Sequence, residues 1–561
     1  MKEGNQMAAM SITVTCQGQS RVFPSGIPAE RVLEAFSQTR REILAVRIGG
    51  ETVERSGLMN RGGELSFVTL ASSEGRRIYE RSLRFILLLA LKKLFPGQRV
   101  RMEYSVSNGI LVRMPGHALS SRDIADLDHL MAKLCLRDLP FLSQTWTTEK
   151  ARAYFAREGQ QDKVQLLRYR SLPTMQMYHC EGNDDMWEYF YGPMVPSTGY
   201  VSVYDLLLHA DGLVLQLPDH THPDRPAPYV DRPRHLSVFE QSARWCSILG
   251  AENISDLADM TRHDMRSFIR VNEALHDQAL VDVAREIVTR ARRVVLVAGP
   301  SSSGKTTFSG RLAVQLQVLG RKAVRISLDN YYRNRSDIPL DEHGEKDFEH
   351  IEGLDLPLIR QHIASLLKGE PIDVPVFSFQ TGKRAKETMH VELSEQDIVI
   401  FEGIHALNPR LTEGVPGESI YRIFVSALTC LNLDDHNRIR TTDVRLLRRI
   451  VRDYQFRGTT PVETLRMWDS VRRGEEKWIF PYQETADTFF NTALHYELPV
   501  LRHFSYDLLC EIDPTLECYP LASVLRKILN YVPDFSEELL EEIPPLSLLR
   551  EFIGGSTMEK D

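Results

Sequence analysis

Eight residues, Gly299-Pro-Ser-Ser-Ser-Gly304-Lys305-Thr306, constrain this chain more than any other part of it. They satisfy G-x-x-x-x-G-K-[ST] at every fixed position. The run before them, VVLVA, is short and β-branched, as a buried strand requires. The run after them, FSGRLAVQLQVLG, has helical spacing. A strand, a loop of small residues and a helix make a cradle for phosphate. Small side chains let backbone N–H groups close on phosphate oxygens, and the helix N-terminus adds partial positive charge. The expected nucleotide-binding set is Gly299, Ser301, Ser302, Ser303, Gly304, Lys305, Thr306 and Thr307. In such loops the lysine reaches the β- and γ-phosphates and the Ser/Thr hydroxyl holds Mg²⁺, so ATP and Mg²⁺ are the implied cofactors.

Two further strands follow, KAVRISL and DIVIF, separated by helical stretches. Strands alternating with helices imply an α/β fold with a parallel sheet and helices on both faces. Asp329 follows the first of these strands and Glu402 the second. In a parallel sheet both stand at the edge where the P-loop lies. One acid there can ligate Mg²⁺ and another can take the proton of an attacking hydroxyl. Acids at such positions also serve as helix caps, but beside a P-loop the chemical roles are favoured. Arg445, Arg448, Arg449 and Arg452 recur at helical spacing, with Arg438 and Arg440 before them and Arg457 after. Such a stripe is usually a solvated face. Seven arginines against only Asp443 and Asp453 fit a mobile lid that clamps the γ-phosphate.

At 561 residues the chain exceeds one core, and about two to four domains are expected. Its net charge of −8 does not point to a nucleic-acid or membrane-surface protein. Seven cysteines without a CxxC pair indicate neither a disulfide framework nor a zinc ribbon. The N-terminus lacks an apolar core, and the longest apolar run, Phe85 to Leu91, is far short of a membrane span. A soluble, cytoplasmic protein is expected. SITVTC alternates like a half-buried strand, 76–95 reads as a helix stopped by Pro96-Gly97, and 218–234 reads as a proline-rich linker or exposed loop. The segment 235–292 reads as helical.

The P-loop region resembles the uridine kinase and phosphoribulokinase family. The resemblance rests on GPSSSGKTT, SLDNYY, DFEH followed by Asp355, IVIFEGIHAL and RLLRRIVRDYQFRG. It implies that Asp329 is the catalytic base and that Thr306, Asp329 and Glu402 place Mg²⁺. It puts Tyr332, Glu349, Phe377 and Arg449 beside the acceptor, Arg448 beside the nucleotide, and Arg452 and Arg457 on the lid next to Lys305. The implied activity is transfer of the γ-phosphate to a hydroxyl of a small molecule, foremost a nucleoside. Departures concern the base. Where uridine-cytidine kinases have Asp, Tyr, His, Gln and, on the lid, Arg, this chain has Glu349, Phe377, Gly382, Met467 and Thr459. Relaxed base recognition is therefore expected, with Gly382 leaving room for a purine.

The N-terminal half resembles the front end of threonyl-tRNA synthetase. Residues 11–71 look like its TGS domain, a β-grasp module, and EGRRIYERSLRFILLLALKKLFPG and YFYGPMVP look like its editing domain. Where that domain carries HxxxH and CxxxH, this chain has Arg81, Phe85, Phe190 and Met194, so no hydrolytic constellation remains. The expected organisation is a TGS-like domain (10–71), a degenerate editing-like α+β domain (72–217), a linker and helical segment (218–289), the kinase domain (290–505) and a helical C-terminal segment (506–561). The competing class is a nucleotide-dependent RNA-binding or translation-associated factor. The absence of an [NT]-K-x-D guanine-reading motif weighs against it. RNA binding by the N-terminal half and an oligomeric state are left open.

Overall fold

The computed structural model describes residues 11–558 apart from 171, 341–343, 345, 379, 380 and 430, with the backbone alone at 184 and 185. Val294–Ala298 is the central strand of a five-stranded sheet. Ile398–Glu402 and Ile420–Ser426 flank it, and Ala323–Ser327 and Thr488–Asn491 form the edges. Every pairing in this sheet is parallel. Alternate residues of the central strand enter different cores. Val294 and Leu296 pack with Ile326, Phe401 and Ile359, whereas Val295 and Val297 pack with Phe308, Leu312 and Tyr421. Burial on both faces is why these strands read as unbroken apolar runs. Because the strands run together, their C-terminal ends deliver the P-loop, Asp329 and Glu402 to one edge.

Ahead of this sheet lie two smaller bodies. In the first, the strands Gln19–Pro24, Ser11–Cys16, Gly63–Val68, Ala45–Ile48 and Glu51–Glu54 form a sheet in that order, and the helix Ala29–Ala35 packs Val32 and Leu33 into its core. In the second, the helix Ser73–Leu94 is buried at every residue from Ile78 to Leu91. It starts three residues before the expected 76 because the Ser72 hydroxyl accepts the Gly75 N–H at 3.0 Å and caps it. A four-stranded and a three-stranded sheet accompany it. Helices Pro233–Leu249, Ile254–Ala258 and Arg262–Thr289 then lead into the parallel sheet. No helix among the described residues is long and apolar enough to cross a membrane.

The two halves are joined by a buried loop. Between the strand ending at Ser426 and the helix starting at Thr441, nearly every described residue is buried. A buried loop must find partners for its backbone. Here Met102 donates to the Asp435 carbonyl at 2.7 Å, and Asn432 donates to the Met102 carbonyl at 2.7 Å. Lys163, wholly buried, lies 3.2 Å from both Glu188 and Asp434, and His436 lies 2.5 Å from Glu188. Burial would lower the Lys163 amine, but Asp434 and Glu188 hold it above its ordinary value.

Candidate active site

The P-loop takes a shape only certain residues allow. Gly304 has φ +84° and Ser302 φ +58°, and a Cβ at Gly299 would collide with the Val425 carbonyl. The loop is braced from below, where Thr492 Oγ1 donates to the Ser303 carbonyl at 2.6 Å. Lys305 folds back so that Nζ donates to the Pro300 carbonyl at 3.2 Å. The Ser302 and Ser303 hydroxyls are buried without a hydrogen-bond partner, and Thr306 is exposed at the start of the helix Lys305–Val318. Orphan donors in a tight loop at a helix N-terminus suit a polyanion.

Three carboxyl groups face this cradle. Asp329 lies in a short 3₁₀ turn after the strand Ala323–Ser327. Burial raises its carboxyl, while Lys305, Arg457 and Arg452 pull it back down. Glu402 is pushed up to about 7 by burial and then by the Asp329 charge, against the pull of Lys305 and a hydrogen bond from Ser327. Glu349 is also pushed up to about 7, by burial first and then by Glu475, with Arg449 and Lys305 opposing. Thus Asp329, Glu402, Glu349, Lys305, Arg449, Arg452 and Arg457 share one electrostatic neighbourhood, although they come from distant parts of the sequence.

A model of the phosphoribulokinase / uridine kinase family matches residues 294–497. The uridine kinase of Deinococcus deserti is 33% identical over 196 residues, which cover 84% of that protein and 35% of this chain. The chain belongs to this family. The family's uridine kinases from Anoxybacillus flavithermus and Halobacterium salinarum are 29% and 31% identical, over 90% and 76% of their lengths. Residues before 294 and after 497 lie outside the family match.

The arginine stripe departs from the single mobile lid expected for a family member, because its seven arginines divide three ways. Arg438 and Arg440 turn to the N-terminal half and pair with Glu80. Arg445 and Arg448 are 1% and 0% exposed. Arg445 pairs with Glu475 through both terminal nitrogens and donates to the Ser301 carbonyl at 3.1 Å. Arg448 pairs with Glu497 and donates to the Thr492 carbonyl at 2.8 Å. Arg448 therefore holds the floor of the P-loop, and the expectation that it binds nucleotide as part of the lid is corrected. Only Arg449, Arg452 and Arg457 remain beside the cradle, gathered on the buried Asp453 at 3.2, 2.7 and 3.6 Å. Arg449 also donates to the Ser301 hydroxyl at 3.0 Å.

Among the residues expected beside the acceptor, Tyr332 donates its hydroxyl to the Phe348 carbonyl at 3.2 Å, and its ring lies 5.8 Å from that of Phe377. Glu349 packs against Gly474, where a Cβ would collide with it. Met467 is 42% exposed. The expectation that Gly382 leaves empty room is corrected. A Cβ at Gly382 would collide with Arg335, whose N–H donates to the Gly382 carbonyl at 2.9 Å. The glycine makes space for an arginine side chain and a left-handed turn at φ +66°.

Sequence reasoning missed Glu475, Asp453 as a hub, and Glu551. Glu475 accepts the Ser301 N–H at 3.1 Å and a bond from Arg472 at 2.7 Å. Burial would raise its carboxyl, but Arg445 and Arg472 hold it below the ordinary range. Glu551 accepts both the N–H and the hydroxyl of Thr307, at 3.2 and 2.9 Å. No local pattern marks either residue as part of the cradle, because their P-loop partners lie 174 and 244 positions away. In the N-terminal half, Phe85 and Phe190 pack 5.7 Å apart and Met194 is 1% exposed. Arg81, lowered to about 10 by burial, donates to the Pro193 carbonyl. No cluster of three or more His, Cys, Asp or Glu side chains fit to hold a metal occurs among the described residues.

Proposed function

We propose that this protein is an ATP-dependent nucleoside kinase of relaxed base preference. The observation that carries the reading is the convergence of Asp329, Lys305, Arg452 and Arg457 at a P-loop with unpartnered donors. The oxygen of an acceptor hydroxyl attacks the γ-phosphorus, its proton passes to an Asp329 carboxylate oxygen, and the bond from the γ-phosphorus to the β–γ bridging oxygen breaks to release ADP. Lys305, Arg452 and Arg457 meet the charge that develops on the transferring group. The donor set fits Mg²⁺: the Thr306 hydroxyl with Asp329 and Glu402 would supply oxygen ligands for a hard cation, and the Asp329 charge raises the proton affinity of the neighbouring Glu402. Bound there, Mg²⁺ would neutralise β- and γ-oxygens.

Tyr332, Glu349, Phe377 and Arg449 form the acceptor side in this reading. Phe377 and Met467 offer faces for a flat ring but no side-chain hydrogen bond to a base edge. Arg335, whose side chain stands where a Cβ of residue 382 would lie, is a candidate donor. The activity by which the relatives are named, uridine kinase, supports a nucleoside as acceptor. Residues 10–71 and 72–217 we read as TGS-like and editing-like modules, the second without hydrolytic groups and retained as a scaffold. A competition assay with uridine, cytidine, adenosine, inosine and guanosine at equal concentration, with ATP and Mg²⁺, tests the reading. Phosphorylation of several bases within about a hundredfold is expected, since larger ratios need a polar reading set. No transfer to any nucleoside would refute the kinase assignment, and a stronger preference for pyrimidines would refute the relaxed pocket.

A further inference from the structure

The P-loop meets two carboxylates of its own chain, and they are held very differently. Glu475 accepts the Ser301 N–H but is itself clasped by Arg445 and Arg472. It is wholly buried and cannot leave without breaking both ion pairs. Glu551 accepts the N–H and hydroxyl of Thr307, at the first turn of the P-loop helix. It is half-buried, and no Lys, Arg or His lies within ion-pair distance of it among the described residues. That N–H is one of the orphan donors a helix N-terminus offers to an anion. The segment carrying Glu551 lies beyond the part of the chain that matches the family.

The same segment closes over neighbouring parts of the cradle. Leu548 lies 3.7 Å from the position of a Cβ on Gly304, and Met558 lies 3.2 Å from that on Gly310. Phe552, wholly buried, sits under Arg448 with its ring centroid 5.0 Å from the guanidinium carbon. Phe552 therefore anchors the short helix Arg550–Ile553, while its neighbour Glu551 points the other way into the cradle. Gly554 and Gly555, at φ +88° and +74°, follow directly and end the turn.

We propose that Glu551 is a resident phosphate mimic, an intramolecular anion seated in the donor site that the phosphate chain of ATP displaces on binding. The inference rests on the reading of the P-loop as an ATP site. Two bonds to a carboxylate that must be given up scale the apparent affinity for ATP by the fraction of molecules in which Glu551 has left Thr307. A plain helix cap would do nothing of the kind, because it would remain in place.

The test is calorimetric titration of the full-length protein with ATP, comparing wild type, Glu551→Gln and Glu551→Ala. Loss of the resident anion is expected to tighten binding by about tenfold in Glu551→Ala, the scale of one charge-assisted hydrogen bond, and by less in Glu551→Gln. Unchanged or weaker binding in both variants overturns the proposal while leaving the ATP site intact. Absence of ATP binding in all three proteins overturns the ATP reading itself. Hydrogen exchange of the wild type over 547–555 gives a second measurement that needs no variant. Saturating ATP should speed exchange there, and unchanged or slower exchange overturns the proposal.

Discussion

Arg445 and Glu475 form an ion pair with almost no access to solvent, and it joins the arginine helix Thr441–Phe456 to the P-loop backbone at Ser301. Breaking one side of a buried pair leaves the other charge uncompensated, at a cost of about 3–5 kcal/mol. Because Arg472 still reaches Glu475 at 2.7 Å, Arg445→Met is expected to lower the unfolding free energy of the kinase half by less than that, about 1–3 kcal/mol, in a urea titration. The double variant Arg445→Met/Glu475→Met should recover most of it, because no isolated charge is then buried. Equal losses in single and double variants would mean that packing, not charge, dominates.

Asp329 and Lys305 should fail in different ways. Asp329→Asn keeps the size of the side chain but removes the proton acceptor, so turnover should fall by roughly 10² or more with ATP affinity nearly unchanged. Lys305→Ala should weaken ATP binding as well as rate, since Lys305 faces both the loop and the acids. Steady-state kinetics paired with equilibrium ATP binding separates the two cases. Full turnover in Asp329→Asn would remove Asp329 as the base.

The arginines near the cradle divide into a reacting set and a supporting set. Arg452→Ala is expected to lower kcat far more than ATP affinity, because a group that meets developing charge acts in the transition state. Arg448→Ala should chiefly destabilise the fold, since it strands the buried Glu497. Thermal melts and kcat measured on both variants would expose a reversal of these roles.

Glu402 gives folding stability a pH dependence of definite sign. Its folded-state pKa of about 7 exceeds that of an unfolded glutamate, about 4.3. Its contribution to stability is therefore complete below about pH 4 and is lost as pH rises through about 7. The difference amounts to roughly 3–4 kcal/mol at most, at 1.36 kcal/mol per unit. Denaturant midpoints of the ligand-free protein from pH 5 to 8 should fall more steeply for wild type than for Glu402→Gln. Parallel curves would show that Glu402 is ionised throughout.

The sequence by itself determined the parallel sheet, the phosphate cradle and the acids at its edge. Those features are local: GPSSSGKT needs only its own backbone geometry, Asp329 stands two residues past one strand, and Glu402 is the last residue of another. Helical spacing likewise placed Arg445, Arg448, Arg449 and Arg452 on one helix. It did not say which of them would meet a ligand. Tertiary structure decided that by supplying Glu475, Glu497 and Asp453 as partners, and by turning Arg438 and Arg440 toward Glu80 in the other half. It also seated Glu551 on Thr307 from 244 residues away. A charge is drawn to whichever partner the packed chain brings within a few ångströms in a dry interior, and that distance is not written in any stretch of sequence a local pattern can read.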